Sequence, residues 1–158
     1  MTSYAEDRAL IENLQARYLF AIDWLDAERY AATFMEDGEL DWAGGVVKGR
    51  AAIRAQFEGG FRRMFGNDDG SHKQPLRLRH FINNLVLKVE GDRATGRAYW
   101  FEFLNDNPGR VPMVRAYGHY EDELRRVNGD WLFASRKIIN EFLEGRRADP
   151  VNPTGGLV

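Results

Sequence analysis

The chain contains no cysteine, which removes disulfides, thiolate metal sites and cysteine nucleophiles together. That absence fits a reducing compartment, and the cytoplasm is the expected location. Histidine is scarce, so any imidazole chemistry falls on His72, His80 or His119. No apolar run approaches the ~20 residues of a membrane span. The polar start from Met1 to Asp7 lacks the apolar stretch of a signal peptide. Charge of neither sign dominates: 22 basic and 24 acidic residues are mixed along the chain. Without a Lys/Arg-rich field, a nucleic-acid partner has no electrostatic footprint. The G-x-G-x-x-G fingerprint, the P-loop and the G-x-S-x-G elbow are missing, and with them support for nucleotide, phosphate or serine-hydrolase chemistry. No H-x-H or H-E-x-x-H pair occurs, so neither a metal nor a cofactor is expected.

Aromatic residues, by contrast, are plentiful: ten Phe, six Tyr and four Trp. Such side chains fill cores, and they also line pockets for flat ligands. At 158 residues the chain has the length of one domain, expected over 1–158 with an irregular tail from about Arg146. A chain of this size buries about 68–70% of its unfolded surface, enough for a core without cross-links.

Helices come first. Leu10, Ile11, Leu14, Tyr18 and Ile22 fall at helical spacing from Glu6 to about Ile22. Asp26 reads as the N-cap of a second, short helix through Tyr30 and Phe34. Glu36-Asp37-Gly38 reads as a turn, followed by short strands Glu39–Trp42 and Val46–Lys48 around Gly44-Gly45. Ile53, Phe57, Phe61 and Phe65 mark a third helix, and the polar segment Gly66 to Pro75 a loop or candidate lid. Four long strands complete the chain: Leu76–Val89, Thr95–Leu104, Val111–Val127 and Trp131–Phe142, the last pair joined through Asn128-Gly129. This order predicts an α+β domain with helices packed on a strongly curved antiparallel sheet that encloses a pocket.

Asp23 has two apolar neighbours on each side and sits near a helix C-terminus, where the backbone dipole disfavours negative charge. It is either held by a cationic or donating partner or is a helix-end Asp facing water. His80 lies within a predicted strand and is the leading candidate for a general base, oriented by a carboxylate. The alternative is a half-buried strand histidine with one backbone hydrogen bond. His119, beside Tyr117 and Tyr120, is a weaker competitor, and His72 reads as solvated. Arg136 on the last strand would stabilise a developing anion if it points inward, or is a surface charge if it points outward. Trp42, Tyr99, Phe101, Tyr117 and His119 are candidate substrate-binding residues, of which only some can face inward because strand neighbours alternate.

Several motifs recur in order: Leu14-x-x-Arg17-Tyr18-x-x-Ala21-Ile22-Asp23, then Phe34-Met35-Glu36-Asp37-Gly38, Gly49-x-x-x-Ile53, Arg79-His80-Phe81-x-Asn83-Asn84, Gly91-Asp92 and Gly129-Asp130-Trp131. From about Ala5 to Asn140 the chain resembles the SnoaL-like members of the NTF2-like superfamily, nearest the branch of scytalone dehydratase and γ-hexachlorocyclohexane dehydrochlorinase. The resemblance implies a cone-shaped α+β barrel in which Asp23 pairs with His80, with Arg136 a pocket residue and Tyr18 assisting. It also implies a dimer or trimer. No counterpart is evident for the second strand histidine of scytalone dehydratase. The expected function is a cofactor-independent lyase, a dehydratase or related elimination, acting on a small aromatic or polycyclic molecule. A proton-shifting isomerase is the nearest alternative. A non-catalytic assembly domain, such as a dioxygenase small subunit, is the rival from another class and predicts that Asp23 and His80 do not meet at a cavity.

Overall fold

The computed structural model describes residues 3–65, 78–105 and 107–157, with the backbone alone for 61–65. The segment read as a candidate lid, and His72 within it, lie outside the described residues.

Helix α1 (Tyr4–Asp23) opens on a reciprocal cap. The Ser3 hydroxyl accepts from the Glu6 N–H while the Glu6 carboxylate accepts from the Ser3 N–H, satisfying two end donors at once. Its inner face buries Ile11, Leu14, Gln15, Tyr18 and Ile22. Leu25 then turns the chain through a left-handed conformation (φ 56°). The Asp26 carboxylate accepts from the Arg29 N–H and starts α2 (Ala27–Ala32).

The next element departs from expectation. Helix α2 stops at Ala32, where the Thr33 hydroxyl donates to the Tyr30 carbonyl at 2.6 Å, and β1 (Phe34–Trp42) begins at Phe34. Glu36-Asp37-Gly38 is not a turn. It is an irregular stretch inside β1, where the register against the last strand shifts between Phe34 and Glu39. At Gly38 an added Cβ would come within 3.0 Å of the Met35 carbonyl and 3.1 Å of the Phe133 carbonyl, so a side chain there would crowd the main chain of the bulge. Strand β2 (Gly45–Lys48) folds back on β1, and α3 (Arg50–Phe65) follows. The Arg50 guanidinium donates to the Phe34 carbonyl and to Glu36, fixing the start of α3 to β1.

Strands β3 (Arg79–Glu90), β4 (Arg93–Leu104), β5 (Met113–Val127) and β6 (Asp130–Asn140) form the meander. The six-stranded sheet runs β2-β1-β6-β5-β4-β3. It is mixed rather than wholly antiparallel, because β1 lies parallel to β6. No hairpin joins those two strands, so no turn dictates their direction. The sheet is also open, with β2 and β3 as its edges, so the cone is not a closed barrel.

Curvature has identifiable sources. Gly118 faces Asn140 in the β5–β6 ladder, where a Cβ would lie 1.8 Å from the Ile139 carbonyl oxygen. In β3, Asn84 is left-handed (φ 53°) at a register shift between Asn83 and Val86. A third shift, between Glu102 and Phe103, leaves Arg115 as the extra residue of β5. Such bulges bend strands and tighten their twist. The helices pack on the concave side, where Ile11, Leu14, Phe34, Leu40, Ile53 and Phe133 are fully or almost fully buried.

Candidate active site

The end of α1 and the start of β3 meet at Asp23. Its carboxylate accepts from the main-chain N–H of His80 at 3.0 and 3.1 Å, and Oδ1 stands 2.7 Å from His80 Nδ1. The same carboxylate thereby anchors the strand and fixes the ring. These donors offset both costs evident in the sequence, burial and the helix-end dipole. Asp23 stands behind the ring, and His80 itself lines a cavity of about 460 Å³.

Directly across the ladder from His80 is Glu102. Its carboxylate lies 3.0 Å from Nε2, the other ring nitrogen, and is only 18% exposed. Burial alone would push the His80 pKa down; the hydrogen bonds to Asp23 and Glu102 outweigh it and raise the pKa to about 9. Between two carboxylates the ring is an imidazolium at neutral pH.

Aromatic rings form much of the remaining wall: Tyr18, Tyr30, Trp42, Phe57, Trp100 and Tyr120. The Tyr18 and Tyr30 hydroxyls are 3.4 Å apart, and burial raises the pKa of each, as it does that of Tyr120. All three remain neutral at ordinary pH, each with a hydroxyl proton it can donate. Arg115, Asn140 and Gln56 add polarity, with partly exposed Phe142 and Leu143 at the rim. Among the described residues, Trp42 Nε1, Trp100 Nε1 and Asn140 Oδ1 are buried without a hydrogen-bond partner.

Arg136 points inward but does not line this cavity. Its guanidinium donates to Asp122 at 2.7 and 2.8 Å and to the Gln15 side-chain carbonyl, and Gln15 in turn donates to Asp122 at 2.8 Å. All three are buried. The guanidinium is stacked among the rings of Tyr18, Tyr120 and Phe133, 3.9–4.2 Å from their centroids. Its charge is committed to Asp122, so its reach to the cavity is through the two tyrosines it supports.

Four of the five candidate substrate-binding residues fall elsewhere. Tyr99 and Tyr117 are 53% and 50% exposed. Phe101 stacks on Phe81 at 5.2 Å between ring centroids, and neither lines the cavity. His119 lies between Glu141 (2.9 Å) and Glu121 (3.3 Å), again away from the cavity. Strand parity is the reason. The register aligns Phe81, Phe101 and Tyr117 on one face and Tyr99 with His119 on the same side, while His80, Trp100, Glu102 and Tyr120 occupy the other. Trp42 does line the cavity. Sequence reasoning missed Glu102, Trp100, Tyr120 and Tyr30. Given an inward His80, alternation along β4 and β5 carries the signal for the first three.

A curved, open sheet with helices on its concave face and a cavity at one end defines an α+β cone of the NTF2-like class. A family model described as a SnoaL-like domain matches residues 3–137, and the chain belongs to that family. No curated protein matches at a significant level. Among solved structures, a Mycobacterium tuberculosis protein of unknown function is 30% identical, covering 96% of this chain and 87% of the other, with a TM-score of 0.73. A Novosphingobium aromaticivorans protein described as a candidate scytalone dehydratase is 23% identical over 96% of this chain and 95% of its own (TM-score 0.70). A Catenulispora acidiphila protein solved in complex with S-DNPA is 24% identical over 87% and 96% (TM-score 0.73). At those last identities the likeness is one of fold. Among the described residues, no helix is long and apolar enough to cross a membrane, and no group of three or more His, Asp or Glu is arranged to hold a metal ion.

Proposed function

We propose that this protein is a cofactor-independent lyase that eliminates water, or a comparable small fragment, from a small aromatic or polycyclic molecule. His80 exchanges protons with the substrate, and Asp23 is the positioning residue that orients and charges it. The observation that carries this reading is the contact between Asp23 and His80 Nδ1, with Nε2 turned to an aromatic-walled cavity. His119 also stands between two carboxylates, but of the two histidines it is His80 that lines the cavity. The cavity volume lies in the range that takes a small ring system. The names of two structures of the same fold, one a candidate scytalone dehydratase and one complexed with S-DNPA, are in keeping with a small-molecule substrate.

The test is replacement of His80. His80→Gln is expected to lower turnover of hydroxylated ring substrates by ~10²–10⁴-fold, read as loss of water release and product formation. Full turnover in that variant overturns the reading. Asp23→Asn should lower turnover with the fold intact and move the alkaline limb of the pH–rate profile downward, because the ring loses a charged acceptor. A rearranged product with no fragment lost would assign the same residues to an isomerase.

A further inference from the structure

The Asp23–His80 contact leaves Glu102 unexplained. Its strand is otherwise aromatic here, with Tyr99, Trp100, Phe101 and Phe103, and a carboxylate on the concave side is costly to desolvate. Yet Glu102 lines the cavity and lies 3.0 Å from Nε2, the ring nitrogen that Asp23 does not hold. Asp23 on Nδ1 and Glu102 on Nε2 together favour the doubly protonated ring, in which neither nitrogen holds a free lone pair. A ring in that state gives a proton; it cannot take one. The buried tyrosines are neutral, so among the described lining residues the Glu102 carboxylate is the strongest acceptor.

We infer that Glu102 is the catalytic base of the site, removing a carbon-bound proton, and that His80 is the acid that protonates the departing oxygen. This rests on the elimination reading above and reverses the expectation that His80 is the base. In the forward step a Glu102 oxygen takes the proton, and the C–H electron pair becomes the new carbon–carbon π bond. The C–O bond breaks with its pair on oxygen, which receives the Nε2 proton and leaves as water. Glu102 is then neutral and His80 carries one proton, on Nδ1. A single transfer from Glu102 to Nε2 across their 3.0 Å contact restores the starting state without outside acid or base. Among the described lining residues the other charged and titratable groups are Arg115 from β5 and Tyr18, Tyr30 and Tyr120, with Asp23 from α1 on Nδ1. The described lining residues of α3 and β6, namely Gln56, Phe57, Gly60, Ile138 and Asn140, are uncharged.

Two probes separate the half-reactions. Tetralone has an acidic carbon-bound hydrogen but no leaving group, and its exchange in heavy water, followed by proton NMR, reports the base alone. Its β-hydroxy derivative, which aromatises to naphthol on losing water, reports acid and base together. Glu102→Gln, nearly isosteric, is expected to lose both by ~10²-fold or more, and Glu102→Asp to regain part of each. His80→Gln is expected to lose dehydration while keeping most of the exchange. Exchange that survives in Glu102→Gln but disappears in His80→Gln overturns the assignment of Glu102 and leaves the elimination reading in place. Dehydration unaffected by either substitution, or wild-type protein inert toward both probes, overturns both readings.

Discussion

His80 links function to stability, because its two carboxylate contacts exist only in the folded chain. Its pKa rises from the ordinary ~6.5 to about 9 on folding, so the folded state binds the extra proton more tightly. That stabilisation is complete below pH ~6.5 and is lost as the pH climbs through about 9, and it is worth on the order of a few kcal/mol. Denaturant midpoints compared across this alkaline window should fall for wild type and stay nearly flat for His80→Gln, other titrations being common to both. Equal slopes would mean that the imidazolium is not held as described. At this scale the sequence was partly legible. Asp23 and His80 stood out because a charge among apolar neighbours needs a reason. Glu102 did not, because its aromatic strand was read for walls, and nothing in a single chain says which residue a ladder will set opposite His80.

At the scale of elements, α1, β5 and β6 are cross-linked by Gln15, Asp122 and Arg136, and the last two have wholly buried side chains. Removing one partner of such a pair leaves an uncompensated charge, at about 3–5 kcal/mol. Arg136→Met should therefore lose about that much in urea unfolding, and Asp122→Asn added to it should restore part of the loss. A strictly additive double variant would show that the two side chains are not coupled. Helix existence and the hairpin meander were legible because apolar period and turn chemistry are local. The parallel β1–β6 pairing was not, since it joins the two ends of the chain and no periodicity encodes a partner. The same limit applies to Glu36-Asp37-Gly38: turn residues also serve a bulge, and only the packing of Gly38 against the Phe133 carbonyl decides between them. Tyr99, Phe101, Tyr117 and His119 share one sheet face, and alternation places all four on the side away from the cavity.

Over the whole molecule, the cavity rim depends on a segment far from Asp23, His80 and Glu102 in sequence. After β6, Phe142 and Leu143 line the mouth and lead into a single 3₁₀ turn, Glu144–Arg146. Arg146 ties that turn back across the sheet, donating to Asp41 Oδ1 at 2.8 Å and to the Ile138 carbonyl at 2.6 Å. Arg146 thereby links the segment after β6 to β1 and to β6 itself. Charge-assisted hydrogen bonds of this kind contribute roughly 1.5–3 kcal/mol each to local order. Arg146→Ala should therefore speed amide exchange from residue 141 to 147 by ~10–100-fold, while the core strands keep their protection. Because Phe142 and Leu143 would then move at the mouth, KM for any ring substrate should rise more than kcat falls. Unchanged exchange in that segment would mean that the main-chain bonds of the turn suffice without Arg146. Faster exchange throughout the sheet would instead make Arg146 a determinant of global stability rather than of the rim.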